Sequence, residues 1–363
     1  MDTMLDSKLN SFDPAVRKAA LMANLPASTS FNMHCHSFFS YNGYGYSPSY
    51  LVALAKKLNW RAVGLVDFDV LDGVDEFMSA LSLYGVRGCA GMETRVFIPK
   101  LADVEINSPG EPGVAYHLGC GFKSSQVPAE AAAFAKELRE KANGRTRQVV
   151  ELVNTSLTEI ALNFDAVAKE FTPAGNVTER HVCQAYRAAA ENKFKGDDLA
   201  QYWTSKIGSF EADPVKLEAL IRSKLMKKGG VGYIQPKPES FPTLEEMNKF
   251  ILSCGAVPTL AWLNGTSAGE ADPGKLIDLH IAAGGKAATI IPDRNWNYSD
   301  PEKRAKFASL MDDFIAACNE RNIPILAGTE MNAPGQKLAD DFSVPELAKH
   351  LDTFIAGVDA FVL

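Results

Sequence analysis

The sequence predicts an α/β protein whose helices cover a mostly parallel sheet or barrel. Short apolar runs rich in Val, Ile and Ala recur along the chain, and longer amphipathic segments separate them. This alternation is typical of repeated βα units. Most of the unusual polar residues lie where the candidate strands end, and parallel barrels build their binding sites at those ends. Candidate strands end at or near His34, Asp67, Glu93, His117, Trp262, Pro292 and Gly328.

Helix signals occupy the segments between the strands. Ser47 and Pro48 are predicted to be the N-cap and the first residue of a helix, and Leu51, Leu54 and Leu58 follow at helical spacing. This helix belongs to the scaffold that surrounds the sheet.

The stretch from Pro128 to Lys228 differs from the rest of the chain. It is rich in Ala, Glu, Lys and Leu and has helical periodicity, but it contains no convincing buried strand. We predict that residues 128–228 form a helical insertion that caps the mouth of the barrel. Residues 1–127 and 229–363 would then form the barrel itself.

Composition and charge exclude several classes of protein. The net charge of -7 and the lack of a basic run argue against nucleic-acid binding, so that a phosphorylated ligand would have to meet local cations. We find neither an apolar N-terminal segment nor an apolar span of membrane length, and we expect neither secretion nor membrane insertion. The six cysteines form no Cys-x-x-Cys pair, which favours reduced thiols in a cytoplasmic protein.

The strongest local signal is the sequence Asn-Met-His-Cys-His at positions 32–36. Side chains two residues apart on an extended strand point to the same side, so His34 and His36 can both reach one cation at about 2.0–2.1 Å. A pair of this kind could equally face solvent or cap a neighbouring element. Other strand-end residues suited to metal binding accompany it: Asp67, Glu93, His117 and Glu330.

Taken in order, these motifs resemble those of the PHP family of metal-dependent phosphoesterases. The resemblance covers most of the chain outside the insertion and rests on His34-x-His36, Asp67, Gly91-x-Glu93 and His117-Leu118-Gly119. It implies a distorted seven-stranded β/α barrel that binds up to three metal ions, such as Zn, Mn or Fe, and hydrolyses phosphate esters. It also implies that the inserted segment shapes the substrate pocket.

Three motifs depart from the family pattern. Phe68 follows Asp67 where the family usually has a histidine, and Trp262 replaces the histidine of an Ala-His-Pro motif. In the last motif, Glu330 and Asn332 replace an aspartate and a histidine. Phe68 and Trp262 cannot coordinate a metal, and we expect them to fill the volume where the missing ions would lie.

The resemblance distributes the remaining ligands over three metal sites. The first site, which is chemically complete, comprises His34, His36, Glu93 and Glu330. The second shares Glu93 and adds His117, while the third retains only Asp67 and Asn332. We therefore expect one firm metal site, room for a second and no third.

The insertion is expected to supply the side chains that bind the substrate. Residues 176–181, Asn-Val-Thr-Glu-Arg-His, resemble a segment that in phosphatase members turns an arginine and a histidine toward the phosphate. Arg180 would balance the phosphate charge, and His181 would also protonate the leaving alkoxide. Arg294, at another strand end, could face the pocket or form a surface salt bridge.

These features predict a metal-dependent hydrolase of a small phosphorylated metabolite. Two alternatives remain open. One is a metal-binding or ligand-sensing protein that kept the fold and lost turnover, and the other is a metal-dependent hydrolase of a non-phosphate bond.

Overall fold

Seven strands form one sheet whose spatial order follows the chain order. They are β1 (Asn32–Cys35), β2 (Val63–Phe68), β3 (Gly88–Phe97), β4 (Val114–Cys120), β5 (Val257–Trp262), β6 (Ala287–Ile290) and β7 (Ile325–Ala327). The structure is a computed structural model that describes residues 30–362. Neighbouring strands pair in parallel except for β4, which is antiparallel to both β3 and β5.

The sheet curves into a nearly closed barrel, in which the segment after β7 forms hydrogen bonds with β1. The side-chain amide of Asn32 donates hydrogen bonds to the backbone carbonyl and the hydroxyl of Thr329, each at 3.0 Å. Gly328 permits this approach, since a Cβ atom there would lie 2.2 Å from Oδ1 of Asn32. The distorted seven-stranded β/α barrel is therefore confirmed.

The α-helices either cover the outside of the barrel or lie in the long segment that joins β4 to β5. They are α1 (Pro48–Lys57), α2 (Val74–Tyr84), α3 (Ala129–Ser156), α4 (Phe164–Phe171), α5 (Glu179–Lys193), α6 (Asp197–Ile207), α7 (Pro214–Ile221), α8 (Leu244–Ser253), α9 (Pro273–Ala282), α10 (Asp293–Trp296), α11 (Pro301–Glu320), α12 (Pro345–Ala348) and α13 (Leu351–Phe361). Ser47 caps α1 by accepting a hydrogen bond from the backbone N–H of Tyr50. No helix within residues 30–362 is both long and apolar enough to cross a membrane.

Helices α3–α7 and a π-helical turn at Arg222–Met226 lie within the segment 128–228. They enclose a hydrophobic core of their own, in which Tyr186 and Trp203 are fully buried. Contacts between these helices and the barrel include polar ones, such as the hydrogen bond from the Arg145 guanidinium to Glu111 at 2.8 Å. The boundary between the two cores therefore contains charged side chains.

Candidate active site

Three side chains converge beside the ends of β1 and β2. His34 and His36 lie at the end of β1, and Glu93 lies on β3 opposite Phe68, the last residue of β2. The Nε2 atoms of His34 and His36 are 3.1 and 3.2 Å from Oε2 of Glu93. Within residues 30–362, these three form the one group of His, Cys, Asp or Glu side chains arranged to hold a metal ion. We call them the His34–His36–Glu93 cluster.

Burial and charge together set the ionisation of the cluster. Burial alone would raise the pKa of Glu93, but the imidazoles of His34 and His36 outweigh that effect and lower it to about 2. Burial would lower the pKa of His34, but the Glu93 carboxylate raises it. The cluster therefore combines an ionised carboxylate with two imidazoles in a buried site.

The donor set fits a divalent metal ion. Nε2 of His36 is buried and faces Glu93 at 3.2 Å, yet it makes no hydrogen bond to any residue between 30 and 362. Two ligand atoms bound to one tetrahedral zinc ion are separated by roughly 3.3 Å, which is close to the distances in the cluster. Two imidazoles and one carboxylate suit Zn or Fe, with Mn as a further candidate.

Glu330, the predicted fourth ligand, lies beside the cluster but is held by other partners. Its backbone carbonyl accepts from the N–H of His36 at 3.0 Å. Its two carboxylate oxygens accept from the Arg294 guanidinium at 2.6 Å and from the Asn332 amide at 2.5 Å. Burial would raise the pKa of Glu330, but Arg294 lowers it. Arg294 thus faces the site and forms a salt bridge there.

Asp67, another predicted ligand, holds the loop that follows β1. Its carboxylate accepts from the backbone N–H of Ser37 at 2.7 Å and from the hydroxyls of Ser37 and Ser40 at 2.6 and 2.7 Å. Burial raises its pKa, while these hydrogen bonds oppose that change. Its neighbour Phe68 stacks on the His36 ring, with centroids 4.2 Å apart, and so occupies space directly beside the cluster.

His117 is not brought to the cluster, contrary to the ligand role expected for it. It lies in the middle of the antiparallel strand β4, where its Nε2 is 2.7 Å from Oδ1 of Asn248 on α8. Its ring also packs edge-on against His280 of α9. Burial, followed by the neighbouring His280, lowers the pKa of His117 to about 3. These contacts place His117 among the outer helices.

Trp262 also packs toward the helices. Its indole stacks on Phe314 of α11 with centroids 4.5 Å apart and is 1% exposed. We expected it to fill the space of a missing ion, whereas its ring contacts lie in the helix layer. The aromatic side chain that packs against a cluster residue is Phe68.

A cavity of about 140 Å³ lies between the barrel and helices α3 and α5. Phe68 and Tyr116 form part of its wall on the barrel side. Its lining includes six cationic side chains: Arg95, Lys141, Arg145, Arg180, Arg222 and Lys227. This cationic lining contrasts with the net charge of -7 for the whole chain, and it makes the cavity suitable for an anionic ligand.

Arg180 connects the cavity to the surroundings of the cluster. Its guanidinium donates to Oδ1 of Asn332 at 3.2 Å, and Asn332 in turn donates to Glu330. Within residues 30–362 Arg180 has no salt bridge to a carboxylate, and burial lowers its pKa. A guanidinium still remains charged at neutral pH. Arg180 is therefore available to an anion in the cavity.

His181 has a different role from its neighbour. Its Nδ1 accepts from the backbone N–H of Thr178 at 3.1 Å, which caps helix α5, and its ring contacts Tyr41 edge-on. Burial lowers its pKa to about 4, so it is neutral at pH 7. These contacts do not favour the expected role of His181 as a proton donor.

Sequence reasoning did not identify the cations on the far side of the cavity. They come from β3, from α3 and from the end of the 128–228 segment, and they meet only in the folded chain. The side chains are Arg95, Arg145, Arg222 and Lys227. The one available signal was that Arg145, Arg222 and Lys227 lie within the predicted cap.

Comparison with solved structures identifies proteins of the same fold. An amidohydrolase from Chromobacterium violaceum, solved with bound sulfate and no metal, is 18% identical, has a TM-score of 0.58, and matches 92% of this chain and 98% of its own. A Bifidobacterium adolescentis protein with a provisional assignment as a metal-dependent phosphoesterase is 18% identical with a TM-score of 0.54, matching 91% of this chain and 98% of its own. No protein-family model and no curated protein matches the sequence. The chain thus has the PHP-like fold that its motifs predicted.

Proposed function

We propose that this protein is a metal-dependent hydrolase of small phosphate monoesters. The observation that carries the proposal is that intervening side chains link the cluster to the cationic cavity. Phe68 lines the cavity and stacks on His36, and Arg180 lines it and reaches Glu330 through Asn332. Hydrolysis of a phosphate ester requires both a site that activates water and cations that balance the phosphate charge.

In this proposal the cluster residues hold the metal ion. A divalent ion polarises a substrate oxygen and lowers the pKa of water toward neutrality. Arg180 binds the other phosphate oxygens, because its planar guanidinium can donate two parallel hydrogen bonds. Phe68 keeps one side of His36 dry and fixes the orientation of its ring.

Tyr116 is the proposed proton donor to the leaving group. It lines the cavity on β4, and its electrostatic neighbours include Arg95 on the cavity side and Glu93 in the cluster. Burial raises its pKa, so that the phenol keeps its proton near pH 7. Water would add to phosphorus and release a proton, the bond from phosphorus to the alcohol oxygen would break, and that oxygen would take the proton of Tyr116. The proton released by water would restore the phenol.

The test combines metal analysis with activity. In the variant His34→Ala/His36→Ala we expect loss of stoichiometric metal, because two of the three ligand atoms are removed. The control is His350→Asn, since His350 pairs with Asp312 on the outer helices. Wild type and control should retain about one tightly bound metal ion per chain by elemental analysis, and both should hydrolyse members of a panel of phosphorylated metabolites.

Two results would contradict the proposal separately. A full metal equivalent in the double variant would show that the cluster is not the metal site. Metal-loaded wild-type protein that binds phosphorylated compounds but hydrolyses none would favour a ligand-sensing protein. Hydrolysis of amides but not phosphate esters by the loaded protein would favour the non-phosphate alternative.

A further inference from the structure

Two carboxylates, one beside the far wall of the cavity and one in its lining, each pair with two of the cations that line it. The first is Glu111, whose side chain is 6% exposed. It accepts from Arg95 at 3.0 Å and from Arg145 at 2.8 Å, one to each oxygen. Both guanidinium groups also lie over the ring of Phe241, at 4.4 and 5.3 Å from its centre. This places the two arginines together on one side of the cavity.

The second carboxylate is Glu179 at the start of α5. It pairs with Arg222 at 2.8 Å and with Lys227 at 2.6 Å. Burial would raise the pKa of Glu179, but Arg222 and Lys227 lower it to about 2. Glu179 is therefore ionised, yet it balances only one of its two partners.

The far wall consequently carries an excess of positive charge. Four cations pair with two carboxylates, Glu111 and Glu179, an excess of about two positive charges over these two carboxylates. Asp69 also lines the cavity and interacts electrostatically with Arg95 and Arg145, so in its ionised state it reduces the excess to about one positive charge. Partly buried cations without matching anions are costly in a folded protein. An anionic group of a ligand would remove this cost.

This excess is separate from the cation near the cluster. Arg180 donates to Asn332, which bonds Glu330, whereas Arg95 of β3 and Arg145 of α3 pair with Glu111. Arg222 and Lys227 pair with Glu179, the neighbour of Arg180 on α5. The cavity therefore offers two positions for anions, one beside the cluster and one on the far wall. We propose that the substrate carries a second anionic group, a carboxylate or a phosphate, which binds to the far wall. This inference rests on the proposed function for the group that is hydrolysed.

Binding of non-hydrolysable probes tests the inference without requiring turnover. The probes are benzylphosphonate, 4-(phosphonomethyl)benzoate and 1,4-xylylene bisphosphonate, which share one ring and differ in the second group. Calorimetry with the metal-loaded full chain should give roughly 10-fold or tighter binding for at least one two-anion probe, as expected for a charge-assisted contact. Tighter binding of the carboxylate probe would identify the second anionic group of the substrate as a carboxylate, and tighter binding of the bisphosphonate would identify it as a phosphate.

Variants locate the effect within the cavity. Arg145→Gln should reduce the ratio of affinities between the two-anion and one-anion probes by roughly 10-fold. Lys227→Gln should reduce the same ratio of affinities, because it removes a cation that pairs with Glu179. This variant replaces Arg145→Gln in the test if Arg145→Gln does not fold. The matched control is Arg147→Gln, because Arg147 lies on the same helix but pairs with Asp165 outside the cavity; its ratio should equal that of wild type.

The opposing results are distinct. Equal affinity for all three probes, or no binding of either two-anion probe, would overturn the second anion position. An unchanged ratio in both Arg145→Gln and Lys227→Gln would show that these cations serve only to hold the segment on the barrel. A clear preference without hydrolysis of any phosphate ester would instead overturn the proposed function and leave the anion position standing.

Discussion

At the level of single residues, Asp67 shows how one carboxylate can act on a metal site indirectly. Its oxygens accept three hydrogen bonds from Ser37 and Ser40, in the loop that joins β1 to α1. The same loop begins at His36, and the hydroxyl of Ser40 lies 3.5 Å from Nδ1 of that histidine. Asp67 therefore positions His36 by fixing the loop that follows it.

Asp67→Asn tests this positioning role. The amide would place a donor against groups that also donate, so we expect the free energy of unfolding to fall by about 1–3 kcal/mol. The measurement is urea unfolding of metal-free protein. The control is Asp75→Asn, which also loses contacts with a serine, Ser125, but in an exposed position. Unchanged stability with loss of metal would instead identify Asp67 as a ligand, as the sequence suggested.

Residue patterns predicted part of this site. The His-x-His spacing on a strand predicted that His34 and His36 would point together, and Glu93 lies with them. Asp67 looked equivalent to Glu93, because both are carboxylates near strand ends. What separates them is the pair of serines that reaches Asp67, and a hydroxyl in a loop gives no sequence signal of its partner.

At the level of elements, the direction of β4 decides the environment of His117. An apolar run predicts a strand but not its direction, and the sequence predicted only that the sheet would be mostly parallel. The connection from β3 to β4, residues 98–113, contains only a single turn of 3₁₀ helix at Pro99–Leu101. A parallel crossover usually requires a longer helix, so this short connection was an available signal of antiparallel pairing.

Helix α5 brings Arg180 to the cavity, which gives a prediction for this element. Arg180→Gln should weaken binding of inorganic phosphate by roughly 10-fold, because a charged donor of the cavity is lost. Metal content should not change, because Arg180 contacts Asn332 rather than the cluster. Arg187→Gln on the same helix is the control, since Arg187 pairs with Glu191 and Glu218. The measurement is phosphate titration by calorimetry, and equal affinities for both variants would refute the role of Arg180.

At the level of the whole molecule, charge is distributed unevenly. The chain is acidic overall, yet six cations line one cavity between the barrel and the helices of the 128–228 segment. Net charge predicts that any anionic ligand would have to meet local cations. It could not predict where they meet, because the contributing residues are separated by up to 132 positions, from Arg95 to Lys227.

Stability of the whole fold should also depend on a buried acid, Asp340. It is 3% exposed, and within residues 30–362 neither carboxylate oxygen has a well-aligned hydrogen bond, although the backbone of Asp293 weakly favours the ionised form. Burial, with a smaller contribution from Asp293, raises its pKa to about 8 from 3.8. Between these two pH values the folded state binds a proton that the unfolded state has released. The free energy of unfolding therefore falls as pH rises from about 4 to 8.

Asp340→Asn removes this proton linkage. Relative to wild type, its free energy of unfolding should rise by roughly 2–4 kcal/mol between pH 5 and pH 8, since the slope approaches about 1.4 kcal/mol per pH unit. The measurement is urea unfolding of metal-free protein at both pH values. Asp341→Asn is the matched control: Ser343 lowers the pKa of Asp341, so any titration effect lies below pH 4 and its difference from wild type should stay constant. If Asp340→Asn also keeps a constant difference, Asp340 is ionised in the folded protein and Lys337, whose charge favours ionisation of Asp340, must balance it.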